Sequence, residues 1–287
     1  IRLAALLHTL EPERRPTVHE PNLDDQAMPH YSVLVPVFGE SDVAPALVAA
    51  LRDIDYPVTK LEIFFITEAA DHATRSALQA AMPPAHMRVL TVPTGKPQTK
   101  PRALNYALRF ARGELVCIFD AEDIPDPWQL RRAAAVFAAT GDDLACVQAR
   151  LGIYNQGDTF FTRLFALEYA VLFQAILPSL EHLGFPIPLG GTSNHFRRAI
   201  LTKVGGWDAY NVTEDADLGV RLARFGYRVA TLDSDTWEEA PATWRAWLGQ
   251  RTRWLKGWMQ TYLVHMRSPR DLVAHLGLWR AMGLQVL

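Results

Sequence analysis

Leu115-Val-Cys-Ile-Phe-Asp-Ala-Glu-Asp123 decides the fold: five apolar residues run directly into three carboxylates within four positions. An uninterrupted apolar run of this length, bounded by polar residues, has the pattern of a strand buried on both faces, as strands are in a parallel sheet. Working outward, Tyr31-Ser-Val-Leu-Val-Pro-Val37 is a second such run, and Ala44 to Leu51 behind it has helical spacing. Leu61-Glu-Ile-Phe-Phe-Ile66 and Arg88 to Val92 predict two further strands, and a helix is predicted from about Pro101 to Ala111. Strands alternating with helices predict an α/β fold, a Rossmann-like, mostly parallel sheet flanked by helices. In such sheets the ligand lies beyond the carboxyl ends of the strands. Phe38 to Glu40, Glu68 to Asp71 and Asp120 to Asp123 are therefore expected on one edge, where three acidic loops make a cation and nucleotide site.

The 287 residues, 49% of them hydrophobic, suffice for one large domain or one domain with appendages. A formal net charge of -2 supplies no basic field for nucleic acid. Cys117 and Cys146 have neither zinc spacing nor a disulfide framework, which points to a reducing compartment and to buried thiols. The histidines show no metal-ligand spacing. No G-x-G-x-x-G follows a predicted strand, which argues against a dinucleotide oxidoreductase, and Thr94-Gly-Lys-Pro-Gln-Thr-Lys100 lacks the spacing of a P-loop. No run reaches the roughly 18 to 20 uninterrupted apolar residues of a membrane span, and no leader resembles a signal peptide. The sequence opens at Ile1 and closes on the apolar stretch Leu276 to Leu287, as a piece cut from a longer chain does. A lead-in over 1–29, a folded domain over 30–240 and a helical segment over 241–287 are expected. The Trp- and Arg-bearing stretch from Trp244 to Trp279 suits either a helical pair closing the core or helices lying along a membrane surface.

Three groups of residues have the composition of a reactive site. Asp120-Ala-Glu122-Asp123 places carboxylates where they repel one another unless a cation offsets them. Mg2+ or Mn2+ takes one or two carboxylates plus substrate phosphates, although an acidic loop capping the helix after Pro125-Asp-Pro-Trp128 has the same composition. Thr213-Glu-Asp215 precedes the amphipathic stretch Ala216 to Phe225, so Asp215 belongs near a helix N-terminus, as a capping residue or as a general base. Gln250, Arg253 and Trp254 are spaced to share one helical face. A guanidinium and an indole presented together suit a diphosphate and a sugar ring, while a core Trp with solvated Arg residues fits the spacing equally well. Lys96 to Arg102 is a basic loop ahead of the helix containing Asn105, and Gly190-Gly-Thr-Ser-Asn-His195 has the flexibility of a loop that closely approaches a ligand.

In this order the elements resemble family-2 glycosyltransferases of the cellulose-synthase-like, membrane-bound branch that makes polysaccharides. Val35-Pro-Val-Phe-Gly-Glu40 resembles the family's opening nucleotide-binding loop, with Gly39 where an Asn is usual. Asp120-Ala-Glu122 resembles its Asp-x-Asp metal motif, with Glu for the second Asp. Thr213-Glu-Asp215 resembles its catalytic-base motif, and Gln250 to Trp254 its Gln-x-x-Arg-Trp motif. The likeness extends over about residues 31 to 262 and implies a GT-A fold with C-terminal amphipathic interface helices. It implies single displacement with inversion, a UDP-sugar donor (UDP-glucose or UDP-N-acetylglucosamine), Mg2+ or Mn2+, and a growing glycan as acceptor. By the same resemblance Asp215 is the base, and Asp120 and Glu122 hold the metal. Pro36, Phe38, Glu40, Glu68, Lys100, Asn105, Asp120 and Arg253 belong to the donor site, and Glu214, Gln250 and Trp254 to the acceptor site. Flanking transmembrane helices and a position on the cytoplasmic face of a bacterial inner membrane are also implied. Where the family has an Asp after the second strand, this chain offers Glu68. The Gly39, Glu68 and Glu122 departures leave open a nucleotide-sugar-binding module without turnover, and a soluble enzyme that makes nucleotide sugars shares the sheet and metal site.

Overall fold

The computed structural model describes residues 23–285. Its strands β1 (Tyr31–Val37), β2 (Leu61–Glu68), β3 (Met87–Val92), β4 (Leu115–Ile118), β5 (Ile124–Pro125), β6 (Leu144–Ile153), β7 (Asn194–Arg197) and β8 (Arg228–Glu238) form one sheet in the order β3-β2-β1-β4-β7-β6-β8-β5. The four strands predicted from the sequence are all present, and β2 extends to include Glu68. β3, β2, β1 and β4 run parallel, whereas β7 is antiparallel to both β4 and β6. The two-residue β5, at the sheet's far edge, is also reversed, antiparallel to β8, but it is β7 that decides where the site can form. Because β6 and β8 are parallel to each other, their carboxyl ends return to the same edge as those of β1, β2 and β4, and the loop entering β7 arrives there too.

Side chains alternate across the strands with a period of two. Val33, Val35 and Val37 join one core with α1 (Ala44–Arg52), α2 (His72–Ala80) and α4 (Gln129–Ala139). Leu34 joins the opposite core, with α3 (Lys100–Leu108), α7 (Arg198–Lys203) and α8 (Glu214–Arg224). Both cysteines are buried free thiols. His195 is likewise a core residue: its Nδ1 accepts from Tyr31 Oη at 2.6 Å and its Nε2 meets Gln129 Oε1 at 3.1 Å. Burial depresses its pKa to about 3, so the ring stays neutral.

Residues 1–22 of the expected lead-in lie outside the described residues. The remainder is part of the fold rather than a lead-in, because Met28 is buried and Lys60 Nζ donates to the carbonyls of Gln26 and Met28 at 2.6 and 2.7 Å.

A third layer is built by α5 (Phe160–Val171), a π-helical turn (Leu172–Ile176) and α6 (Leu177–His182), which pack on β6. Among the described residues, the continuous helix Phe160–His182 alone is long and apolar enough to cross a membrane, with 22% of its most apolar window buried. The C-terminal segment forms α9 (Trp244–Met266) and α10 (Pro269–Leu284). Both readings of this segment have a counterpart: Leu272, Leu276 and Leu284 pack against Val220 and Ala223 of α8, while Leu255, Met259 and Leu263 of α9 face outward.

Gly219 sets the depth of α8. A methyl group there would stand 2.1 Å from the Ile187 carbonyl oxygen, a backbone atom with no room to retreat. Gly219→Ala should therefore destabilise the fold by about 2 to 3 kcal/mol as an overpacked core position. Gly249→Ala, in the α9 interior with nothing within 4 Å, should instead stabilise it by about 0.5 to 1 kcal/mol. Denaturant unfolding of the two variants checks both signs.

Candidate functional site

At the shared carboxyl edge, Lys100 opens α3, its ammonium paired with Asp120 and donating to the Gly191 carbonyl at 2.8 Å. Gly191 belongs to the loop entering β7. A methyl group on it would lie 3.4 Å from Asp215 Oδ2 and 3.9 Å from Lys100 Nζ, so glycine keeps the space between carboxylate and cation open. Asp215 stands in the first turn of α8, where its Oδ1 accepts the Ala216 backbone N–H at 2.7 Å. Asp123 folds back to accept the Asp120 N–H at 2.7 Å and the Thr192 hydroxyl. The cleft thus draws on β4, α3, the loop before β7 and α8.

The electrostatics follow from crowding. Burial pushes Asp215 up to about 6, and burial with the adjacent Asp215 pushes Glu214 up to about 7. Asp123 and Glu238 lie well above the ordinary carboxylate range, through burial first and then through Asp120 and Asp123 respectively. Glu122 keeps solvent contact, yet the cleft around it, and then Asp120, raise its carboxyl as well. For Lys100, burial disfavours the charge, but Asp120 and Glu214 outweigh it and hold the ammonium above its ordinary pKa.

An acidic cleft of this kind fits a hard divalent cation. Asp123 Oδ1 is buried with no hydrogen-bond partner among the described residues, and Asp120 and Glu122 stand beside it. Among the described residues no three side chains form a complete cage. Mg2+ and Mn2+ need none, because they take one or two carboxylates together with phosphate oxygens and water.

The other predicted residues divide. The β1 loop carrying exposed Phe38 is tied down by Asp71, which accepts Gly39 N at 2.7 Å and caps α2, while Glu40 N donates to Thr74 Oγ1 at 3.0 Å. Pro36 is half-buried within β1, and the Glu40 carboxylate is near enough to Glu122 to raise it. Glu68 is not open to a nucleotide: it is buried, and Arg102 Nη1 holds both of its oxygens at 3.1 and 3.3 Å. Asn105 also has another task, since its amide clamps the Trp207 backbone by bonds of 2.6 and 3.0 Å.

In α9 the shared face differs from the expected one. Gly257, Thr261 and His265 seat the helix on Thr213, Asn211 and Asp217, and this fixes its rotation. At about 100° per residue, the inward side then carries Trp247, Gln250, Arg251 and Trp254, while Arg253 turns to solvent without an ion-pair partner among the described residues. Sequence reasoning passed over Glu238 and Tyr169, two groups close enough at the cleft for Glu238 to raise the pKa of the Tyr169 hydroxyl, after burial. Neither stands in a local pattern that marks it.

The family described as "Glycosyltransferase like family 2" matches residues 29–257, and the chain belongs to it. It is 29% identical over 235 residues to a probable glycosyltransferase YdaM of Bacillus subtilis, covering 80% of this chain and 55% of the relative. It is 28% identical over 260 residues to a beta-monoglucosyldiacylglycerol synthase of Synechocystis, covering 89% and 53%. With glucomannan 4-beta-mannosyltransferase 1 of Oryza sativa the figures are 27% over 250 residues, 83% and 47%. The chain therefore spans about half the length of these relatives. Among solved structures, the mannosyltransferase PcManGT of Pyrobaculum calidifontis, in complex with GDP-Man and Mn2+, superposes with a TM-score of 0.70 at 23% identity, over 99% of this chain and 81% of that one. This likeness identifies the sheet as a GT-A fold.

Asp215 and Glu214 bind their protons more tightly when folded, so in chelator-treated protein their contribution is complete at low pH. It is lost as pH rises from about 4, the ordinary carboxylate range, to about 7. Lys100→Met removes the opposing cation and should steepen that loss. Melting temperatures taken between about pH 5 and about pH 8 should fall further in the variant than in the parent, and equal falls would contradict the charge balance described.

Proposed function

We propose that the chain is the catalytic part of an inverting, metal-dependent hexosyltransferase that moves a sugar from a UDP-sugar to a hydroxyl of a growing glycan, a β-linked polysaccharide. The observation that carries this reading is the meeting of Lys100, Asp120 and Asp215 around Gly191. Displacing a diphosphate from an anomeric carbon requires a base for the attacking hydroxyl and cations for the charge that develops on the leaving group. Asp215, with its pKa near 6, is ionised at neutral pH and still basic enough to take the proton. As the acceptor oxygen bonds to the anomeric carbon, the bond to the diphosphate breaks and the proton passes to Asp215. Lys100, held at the cleft by Asp120 and the Gly191 carbonyl, stabilises the departing charge. Asp120 and Glu122 would hold Mg2+ or Mn2+, which when bound supplies Lewis-acid neutralisation of the diphosphate. Glu214, Gln250 and Trp254 border the acceptor.

Membrane attachment is part of the same reading. Leu255, Met259 and Leu263 form an exposed stripe on α9 with Arg253, Lys256 and Arg267 near it, a composition suited to the interfacial plane of a bilayer. It accords with flanking membrane helices and a cytoplasmic active site.

The deciding assay is UDP release by the full-length protein with a panel of UDP-sugars, with and without Mg2+ or Mn2+. One sugar should support metal-dependent release, and transfer should decline below about pH 6 as Asp215 becomes protonated. Asp215→Asn should lower transfer by about a hundredfold or more. Near-normal transfer in that variant would reject the assignment, and UDP binding without release across the panel would favour a module that binds without turnover.

A further inference from the structure

Arg251 is held in an unusual way for a helix residue. Its Nη2 pairs with Glu168 of α5, and its guanidinium carbon lies 4.9 Å from the ring centre of Phe165, 5.0 Å from that of Trp254 and 5.5 Å from that of Trp247. Its Nε is buried with no partner among the described residues. Burial also holds its pKa below the ordinary value. A guanidinium in this state is a poor stability device, because an unpaired N–H is costly and an apolar residue of similar volume often serves a buried ion pair's place at no loss.

The ring it contacts has a defined partner on the catalytic side. Trp254 stacks on Tyr169 with 6.5 Å between centroids and 24° between planes, and the Tyr169 hydroxyl is near enough to Glu238 of the cleft for that carboxylate to raise its pKa, after burial. Trp254 is only half-buried, so part of the indole is open. A flat aromatic surface recognises a sugar ring when its tilt is fixed beforehand, and contact with both a cation and a second ring holds that tilt.

The geometry points to Arg251 as a positioning residue for the acceptor: clamped by Glu168 and the surrounding rings, it fixes the Trp254 indole in the orientation on which a saccharide acceptor packs. The inference rests on the acceptor role given to Trp254 above. Arg253, although it stands in the motif position, turns to solvent and makes no such contact.

The test uses full-length protein carrying Arg251→Leu, Arg251→Lys, Trp254→Ala and the Arg251→Leu/Trp254→Ala pair, with a β-linked glucose tetrasaccharide as acceptor probe and the UDP-sugar that supports turnover. Arg251→Leu should raise the tetrasaccharide concentration for half-maximal stimulation of UDP release about tenfold, the scale of a desolvated cation–π contact. Donor KM should move less than about twofold and the melting temperature should hold or rise. Arg251→Lys, which keeps the charge but not the plane, should recover only part of the loss. In the pair, Arg251→Leu should add nothing to Trp254→Ala, because both remove one oriented ring. Additive losses would overturn the inference, as would a parallel loss of donor binding and melting temperature in Arg251→Leu. An inactive Asp215→Asn beside a normal Arg251→Leu would strike this inference alone, whereas an active Asp215→Asn would remove the site reading beneath it.

Discussion

Asp120, Glu122, Asp123, Glu214, Asp215 and Glu238 gather at one end of a sheet, and Lys100 is the cation that opposes the burial of most of them. Carboxylates brought together out of water either protonate or acquire a positive neighbour. Lys100 supplies part of that charge, pairing with Asp120 and tying the Gly191 carbonyl into the same contact. The remainder shows as raised carboxyl pKa values and as a buried oxygen of Asp123 without a partner. This imbalance makes the edge receptive to a divalent cation and to a diphosphate, which together bring both signs of charge.

The fold provides the place where this imbalance can exist. An all-parallel sheet would bring the start of β7 to the opposite edge. Antiparallel β7 instead delivers Gly191 and Thr192 to Lys100 and Asp123. Gly219 then lets α8 lie against the backbone at Ile187, close to that loop, and Gly257 lets α9 sit on Thr213, where α8 begins. Small residues at these crossings thus let the helix that carries Asp215 approach the loop that carries Gly191.

Much of this was legible in the sequence because it is local. The apolar runs ending at Val37 and Phe119 correctly marked strands, since burial on both faces leaves few polar positions in a strand. The Asp120-to-Asp123 and Thr213-to-Asp215 segments stand out because each combines several polar and acidic side chains within one turn of chain. The partners that Glu68 and Asn105 take were not legible, for a complementary reason. Both stand where a ligand contact is expected, but Arg102 takes the first and the Trp207 backbone the second, and neither pairing leaves a trace in linear spacing.

The α9 helix marks the division most sharply. Its sequence determined that residues 244–266 are helical and carry arginines and tryptophans at helical intervals. Which arginine faces inward was set by contacts outside the helix: Gly257 against Thr213, Thr261 beside Asn211 and His265 against Asp217 fix its rotation, turning Arg251 into the aromatic rings and Arg253 to solvent. The sequence alone determined the strands, the acidic edge and the helix that presents Asp215. The tertiary structure decided the direction of β7, the partners of Glu68 and Asn105, and the rotation of α9, because each depends on a surface contributed by a distant part of the chain.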